Sequence, residues 1–453
     1  MSAARSAMAS KTPPSERLAE WLGHQRWFAT KTRQIESVTI MDVLPLASAA
    51  IAIAGVGLAG GAVDRYVVAL GRGARAAAVE ITDGFDDPLF CRALLDVIGD
   101  GQRVDGESGA LEGVRTAAFP PSLAPGLAAR RIGGEQSNTS VVFGDVAIMK
   151  TFRRLADGIN PEAEMTRFLT EHARFAHAPR LFGQLEYRRR DGSTATLAVV
   201  QELVPGARDG WEWLLDELRA GRAALEAIGR LGEVTGRLHQ ALAGGADHPD
   251  FAPEPITDAD LTAWDAAVRD QVERAHTALG DSRGGLRVPG LIAALAGLRG
   301  VQKIRHHGDL HFGQTLRRAD GDWMIIDFEG EPLRPLAERR RKHTPLRDVA
   351  GIVRSLAYAA ASAQPAGGEA WLDRWQRDAV DAFLGGYRAV TIGARFTPAN
   401  ETAFRRALAV FEIEKAAYEI VYEANNRPDW IAIPRRGLVS AVERLGLRWS
   451  GAA

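Results

Sequence analysis

The chain has a single cysteine, Cys91, among 453 residues. It can form no internal disulfide, which fits a reducing compartment and a cytoplasmic location. A lone cysteine reads as a core residue rather than a nucleophile. Charge of either sign in excess is also missing. Lys and Arg number 56 against 57 Asp and Glu, a net charge of −1, which argues against a general nucleic-acid or membrane-surface role. The basic clusters Arg188-Arg189-Arg190 and Arg339-Arg340-Arg341-Lys342 read as solvated loops. No G-x-x-x-x-G-K-[ST] stretch occurs, so a P-loop ATP site is excluded. No apolar segment follows the first basic residues, so no signal peptide is expected. Val43–Val63 is uncharged, but it holds Pro45 and four glycines. It is too weakly apolar for a spanning helix and reads as strands. Residues 1–14 are expected to be disordered, and no internal repeat is visible.

What remains is an ordinary globular composition, 46% hydrophobic and 25% charged, long enough for about two or three domains. The most informative stretch is IRHHGDLHFGQTLRRADGDWMIIDFEG. His307-Gly308-Asp309 is followed five residues later by Gln314. After the apolar run Trp323–Ile326 comes a second acid, Asp327, and then Phe328. Phosphoryl transfer from ATP needs a carboxylate beside the acceptor hydroxyl and oxygen ligands for Mg²⁺. The kinase loop H-R-D-x-x-x-x-N has this spacing. Asp309 then reads as the catalytic base, Gln314 and Asp327 as metal ligands, and Glu329 as a further one. Two alternatives compete. One is a buried turn with a paired His and Asp. The other is a metal phosphoesterase built on Gly308-Asp309-Leu310-His311, which needs several more ligands.

Upstream, RRIGGEQSNTSVVFGDVAIMKTF reads as a hairpin. Strands at Thr139–Phe143 and Val146–Thr151 flank a Gly144-Asp145 turn. The loop Gly133–Asn138 is suited to phosphates through its backbone N–H groups, Ser137 and Asn138. Lys150 on the returning strand is placed for the α/β-phosphates. Asn160 reads as an N-cap and Pro161 as the first residue of the next helix. Glu164 is the expected ion-pair partner of Lys150, whereas Glu162 is expected only to favour the helix N-terminus. Thr196–Leu203 reads as a hinge strand, with Glu202 and Val204 beside the adenine.

Gly55-Val56-Gly57-Leu58-Ala59-Gly60 matches G-x-G-x-x-G, and Glu80 stands twenty residues on. A dinucleotide site would need a helix directly after these glycines. Asp64–Val68 looks like a strand instead, with Gly71-Arg72-Gly73 a turn before a strand at Ala76–Ile81. The glycines are therefore expected in a loop between strands. Three regions follow: a cap at 1–90, opening with a short helix that carries Trp21, Leu22, Trp27 and Phe28; residues 91–203 with the phosphate loop and hinge; and a mainly helical 204–453. Apolar residues recur at helical spacing in Trp211–Ala243, Val349–Ala361, Trp371–Val390 and Phe404–Tyr422.

These residues resemble the actinobacterial maltokinases, of the aminoglycoside-phosphotransferase-like branch of the protein-kinase-like fold. The resemblance runs through Gln25-Arg26-Trp27-Phe28-Ala29 with Lys31, HHGDLHFGQTL, IIDFEGEPLRPLAERR, Pro345–Gly351, Glu414–Glu419, Tyr422-Glu423 and Arg427–Trp430. It implies an α+β, bilobal kinase with an N-terminal cap subdomain, ATP and Mg²⁺ as cofactors, and transfer to the anomeric hydroxyl of maltose for α-glucan synthesis. It also implies association with trehalose synthase. His311, Arg347, Tyr418, Tyr422, Glu423, Asn426 and Trp430 are the sugar-binding candidates. Glucosamine kinases share the architecture and several motifs, so a monosaccharide or aminoglycoside acceptor is the alternative. A kinase-like nucleotide-binding module without turnover is the alternative of another class; Lys150, Asp309 and Asp327 are all present against it.

Overall fold

The computed structural model describes residues 15–447, except 29–32, 72–80, 124–126, 134–136, 281–290, 332–333 and 364–368. The expected disorder of 1–14 lies outside these residues. So do Ala29 and Lys31 of the opening motif, Arg72-Gly73, the strand expected at 76–81 apart from Ile81, Glu80, and Gly134-Glu135-Gln136 of the phosphate loop. The chain divides into two compact units, residues 1–171 with 179–205, and residues 172–178 with 206–453.

Unit 1 opens with helix α1 (Ser15–His24), then strands β1 (Ile35–Leu46), β2 (Ala49–Leu58) and β3 (Ala62–Gly71). Trp27 and Phe28 follow the helix instead of lying on it. The uncharged run is indeed β, and Gly55 and Gly57 sit within β2. Only Gly60 and Gly61 form the turn, both at positive φ, 93° and 82°. The expected loop is thus mostly strand. Glycine is accepted there because a Cβ on Gly57 would lie 2.4 Å from Ser37 Oγ across the ladder. Next come α2 (Pro88–Gly99), β4 (Arg103–Asp105), β5 (Gly109–Arg115), β6 (Ala129–Arg131), β7 (Asn138–Phe143), β8 (Ala147–Phe152) and β9 (Arg154–Leu155). Helix α3 (Pro161–Arg167), β10 (Leu181–Arg189) and β11 (Thr194–Glu202) complete the unit. A boundary at residue 90 would cut α2, which Asp87 caps by accepting the Leu89 N–H at 2.9 Å.

The cap sheet has order β1-β2-β3-β9, and the larger sheet β4-β5-β10-β11-β8-β7-β6. β2 is buried on both faces, as its near-continuous apolar run suggests. Ala52, Ala54 and Val56 face Leu18 and Leu22 of α1, while Ile51 and Ile53 join Phe90, Leu94 and Leu111 in the main core. Cys91 lies in that core. Its thiol donates to the Phe85 carbonyl at 3.3 Å, and burial pushes its pKa up to about 12. Arg153 ties the cap to the phosphate hairpin. Fully buried, its guanidinium lies 4.4 Å from the Trp27 ring and 4.5 Å from the Phe85 ring. It donates to Asp83 Oδ2 at 2.5 Å and to Thr139 Oγ1 of β7 at 2.7 Å.

Unit 2 runs β12 (Arg208–Asp209), α4 (Gly210–Arg219), α5 (Leu225–Ala243), β13 (Glu254–Pro255), α6 (Asp258–Ala278), α7 (Leu291–Leu295), β14 (Gln302–Lys303), β15 (Thr315–Arg317) and β16 (Trp323–Ile325). It ends with α8 (Leu336–Arg339), α9 (Leu346–Ser362), α10 (Glu369–Thr391), α11 (Glu401–Asn426) and α12 (Ala432–Arg444). The four helical segments read from apolar spacing are α4 with α5, α9, α10 and α11. Among the described residues no helix is long and apolar enough to cross a membrane.

Candidate active site

The segment 305–328 is a loop followed by a hairpin. β15 pairs with β16 in the register Thr315↔Ile325, and β15 also pairs with β12. The Ile326 N–H donates to the Gln314 carbonyl at 3.0 Å, so the ladder runs one step past the strands. Gln314 and Asp327 therefore stand at the same end of this hairpin. Asp327 adopts φ +68°, the left-handed region that costs a non-glycine residue energy. Such positions concentrate at functional sites.

The loop itself is held from below by Asp348 in the first turn of α9. This carboxylate is 1% exposed. It accepts the His307 N–H at 2.8 Å on Oδ2 and the Gly308 N–H at 2.9 Å on Oδ1. His239 of α5 donates to it from Nε2 at 3.0 Å, and His239 Nδ1 accepts the Tyr387 hydroxyl at 3.0 Å. Burial alone would raise the Asp348 pKa; the donors and nearby imidazoles outweigh it and hold the carboxyl well below the usual range. His307 completes the frame, donating from Nε2 to the Ile326 carbonyl at 2.9 Å and accepting the Asp309 N–H on Nδ1 at 3.3 Å. Gly308 takes φ +87°, which only glycine adopts without strain. Gly351 lets α9 approach: a Cβ there would lie 2.2 Å from the Leu310 carbonyl.

Asp309 is presented above this frame with a fifth of its side chain exposed. Its Oδ1 accepts from Lys415 Nζ of α11 at 2.9 Å, and the same ammonium donates to Glu331 Oε1 at 3.1 Å. Burial would lower the Lys415 pKa; Asp309 and Glu331 reverse that and keep it well above the usual lysine value. For Glu331 burial acts upward, but Lys415, Arg334 and Arg347 bring its pKa down to about 2. Arg347 and Arg334 both reach Glu414 Oε1, at 3.1 and 3.3 Å. Asp309, Glu331, Arg334, Arg347, Glu414, Lys415 and Tyr418 line one small cavity of about 20 Å³, room for about one water.

The other expected sugar contacts are spread along α11 and its exit. His311 accepts the Gly313 N–H on Nδ1 at 3.1 Å and so caps the turn before Gln314; burial lowers its pKa. Burial also pushes the Tyr418 hydroxyl up to about 12. Tyr422 is 41% exposed, with Arg427 over its ring. Glu423 is 1% exposed and engaged by Tyr358 at 3.0 Å and by Arg427 at 2.7 Å. Asn426 donates to the Tyr422 carbonyl, and Trp430 stacks on Tyr358 at 6.2 Å. Of the expected sugar residues, Arg347 and Tyr418 line the cavity at Asp309.

In unit 1 the hairpin forms as read. Thr139 pairs with Thr151 and Ser140 with Lys150, and Gly144 turns at φ +56°. Ser137 is exposed and Asn138 begins β7. Asn160 caps α3 by accepting the Glu162 N–H at 2.8 Å. Lys150 lies opposite Val199 of β11. Val199 packs with Phe152 and Ala163, so α3 covers the sheet face that carries Lys150. Both α3 carboxylates are buried. Glu162 does more than favour the helix start, because its Oε1 accepts from Gln201 Nε2 at 2.7 Å. On the hinge strand the Glu202 side chain pairs with Arg180 at 2.9 Å. The Glu202 and Leu203 N–H groups donate to the Arg180 and Val146 carbonyls. Val204 supplies the next backbone N–H.

Comparison with known proteins is consistent with this geometry. A model of the phosphotransferase enzyme family matches residues 128–390, and a maltokinase N-terminal cap domain matches 21–83. The chain belongs to the phosphotransferase enzyme family. It is 33% identical over 335 residues to a glucosamine kinase of Mycolicibacterium smegmatis, covering 69% of this chain and 79% of that one. A glucosamine kinase of Streptacidiphilus jiangxiensis is 30% identical, with 71% and 75% covered. A solved glucosamine kinase holding glucosamine, ADP and inorganic phosphate is 26% identical, with 89% and 93% covered and a TM-score of 0.65. A second crystal form gives 25%, 94%, 99% and 0.68. The α+β, kinase-like fold with an N-terminal cap and the assignment as a phosphotransferase acting on a hydroxyl acceptor both follow. Two features were missed from sequence: Asp348 as the loop's anchor and Lys415 as the partner of Asp309. Both lie in quoted motifs, but their partners are 40 to 109 residues away.

Proposed function

We propose that this phosphotransferase is a sugar kinase that transfers the γ-phosphate of ATP to the anomeric hydroxyl of maltose, giving maltose 1-phosphate for α-glucan synthesis. The observation that carries the choice of acceptor is the charge balance around Asp309. Three carboxylates line that cavity, Asp309, Glu331 and Glu414, and three cations meet them, Lys415, Arg334 and Arg347. A neutral sugar docked against these groups leaves the balance undisturbed. An amino sugar brings an ammonium up to Lys415 and needs a carboxylate of its own. The relatives' names favour the amino sugar; this balance and the match to the maltokinase cap favour maltose.

Asp309 accepts the proton of the attacking hydroxyl, and Lys415 fixes which carboxylate oxygen faces it. Arg347, Tyr418, Tyr422 and Trp430 supply the polar groups and ring faces that orient a sugar, with His311 and Asn426 nearby in sequence and Glu423 holding the helix end. The hard oxygens of Gln314 and Asp327, at one end of the hairpin, suit Mg²⁺, and Glu329 is a third candidate. When bound, the ion neutralises charge on the transferring phosphates. In unit 1, Ser137, Asn138 and Lys150 meet phosphate oxygens, Glu164 orients Lys150, and the hinge at Glu202 and Val204 meets adenine. Trehalose synthase is the proposed partner as the source of maltose. An acceptor screen with maltose, glucosamine, glucose and aminoglycosides tests the reading. Maltose should give the highest kcat/KM; a tenfold or greater preference for glucosamine would overturn it and leave the fold assignment standing.

A further inference from the structure

The basic run Arg339-Arg340-Arg341-Lys342 reads from sequence as a solvated loop. In the structure its last three residues line a cavity of about 550 Å³ in unit 2, beside α6 and β14. That size is typical of pockets that take small-molecule ligands. One wall is firm, because His343 and Ile304 exchange two backbone hydrogen bonds, both of 2.9 Å. Six cations line the cavity, Lys303, Arg334, Arg340, Arg341, Lys342 and Arg347, against five carboxylates. Lys303 pairs with Asp260 at 2.8 Å, Lys342 with Glu254 at 2.6 Å and Arg340 with Asp250 at 3.9 Å, while Arg334 and Arg347 share Glu414. Arg341 is left over. It is exposed, and among the described residues its side chain has no hydrogen bond or ion pair.

An unmatched guanidinium on the rim of a basic cavity selects an anion. Arginine presents a planar fork of donors that fits phosphate oxygens two at a time. Lys303, Lys342 and Arg347 are largely withdrawn from water, so salt screens them less than charges on an open surface. The volume is far more than a lone phosphate needs. The rest of the lining suits hydroxyls, because the carboxylates of Glu254 and Asp260 hold more acceptor positions than one ammonium fills. A phosphate monoester of a sugar matches both ends.

The cavity also touches the chemistry. It shares Arg334, Arg347 and Glu414 with the smaller cavity at Asp309. Glu331 is nearly sealed from water, and Lys415 and Arg334 balance its charge. An anion that draws Arg334 to itself leaves Glu331 with Lys415 alone, and Lys415 then leans away from Asp309.

We propose that this cavity binds a sugar phosphate and that its occupation slows phosphoryl transfer at Asp309. A sugar kinase releases a compound of this class, so the site senses accumulated product. That meaning rests on the sugar-kinase reading above; the binding does not. Calorimetry on the full chain compares glucose 1-phosphate, inorganic phosphate and glucose, with the nucleotide site saturated by a non-hydrolysable ATP analogue and no acceptor present. Glucose 1-phosphate should bind best and glucose not at all. Arg341→Glu and Ala267→Glu both alter exposed residues of the lining. Each should weaken that binding by about tenfold or more, the first by removing a charged donor and the second by adding a like charge. Melting temperature and basal kcat should stay as in wild type. Glucose 1-phosphate should also lower kcat at saturating ATP and whichever sugar the acceptor screen favours, and Arg341→Glu should relieve this. Binding that both variants leave intact places the ligand elsewhere and overturns the site. Inorganic phosphate that binds as tightly as glucose 1-phosphate overturns the sugar part of the assignment, and binding with kcat unchanged overturns the coupling. A screen that favours glucosamine overturns the choice of maltose and leaves both readouts intact.

Discussion

The floor and the roof of the catalytic loop are built on different principles. Below, Asp348 is sealed from water and receives two backbone N–H groups and an imidazole. Above, Asp309 is partly open and held by one ammonium that it shares with Glu331. The floor fixes backbone, where every bond comes from a rigid element. The roof fixes a side chain, through a cation on a flexible stem. A buried carboxylate with several donors makes a precise frame; a part-exposed one with a single movable partner is free to trade that partner for a substrate hydroxyl. The two aspartates differ in what they can release.

Variants at the two levels should therefore fail in different ways. Asp309→Asn should lower turnover by about 10²–10⁴-fold, the usual worth of a general base, with melting temperature and ATP binding kept. Near-normal turnover would remove Asp309 from the chemistry. Asp348→Ala should do the reverse. It leaves two buried N–H groups and His239 without their acceptor, and losing one partner of a buried charged network costs about 3–5 kcal/mol. Chemical denaturation should show that loss in stability, and a variant as stable as wild type would break the distinction between floor and roof. Lys415→Met should fall between them. A hydrogen bond to a charged group is worth about 1.5–3 kcal/mol, so kcat/KM should drop by roughly 10–150-fold. Glu331→Gln in the same protein should recover part of its stability, because it removes the carboxylate that Lys415 leaves behind.

The smallest effect concerns pH. The folded pKa of His306 is depressed by burial to about 3, against about 6.5 in an unfolded chain. A depressed folded value contributes stability that is fully present above pH 6.5 and is lost as pH falls toward 3. Below pH 6.5 the unfolded state takes up the proton and the folded state does not, at a cost of up to about 1.4 kcal/mol per pH unit. The partly buried His343 ring shifts in the same direction, through loss of hydration. Melting temperature should fall on acidification from pH 7 to 5, and His306→Gln should flatten that limb. A melting temperature that rises over this interval would contradict the neutral assignment.

Local chemistry was readable and distant partnership was not. The Gly144 turn, the Asn160 cap and the helices of unit 2 each depend on neighbours within a few residues, and each appears where spacing placed it. Asp309, Gln314 and Asp327 share a motif, so one loop and one hairpin bring them into order. Glu162 looked like a simple helix-start charge because nothing near it in sequence announces Gln201, 39 residues on. Asp348 and Lys415 escaped for the same reason. Gly55 and Gly57 misled in the opposite sense. A glycine pattern that serves phosphate loops also serves a strand pressed against its neighbour, and only the pairing of β2 tells them apart.

Arg153 sets a limit on modularity. Its guanidinium is spent on Trp27, Phe85, Asp83, Thr139 and the Val67 carbonyl. Trp27, Val67 and Asp83 fall within the matched cap and Thr139 on the phosphate hairpin. Trimming the cap away would strip a buried cation of its counter-ion and of one aromatic plate in a single cut, directly behind β7. The cap cannot be shed or swapped as a bead on a string is. Any exchange of this segment between relatives has to carry position 153 with it.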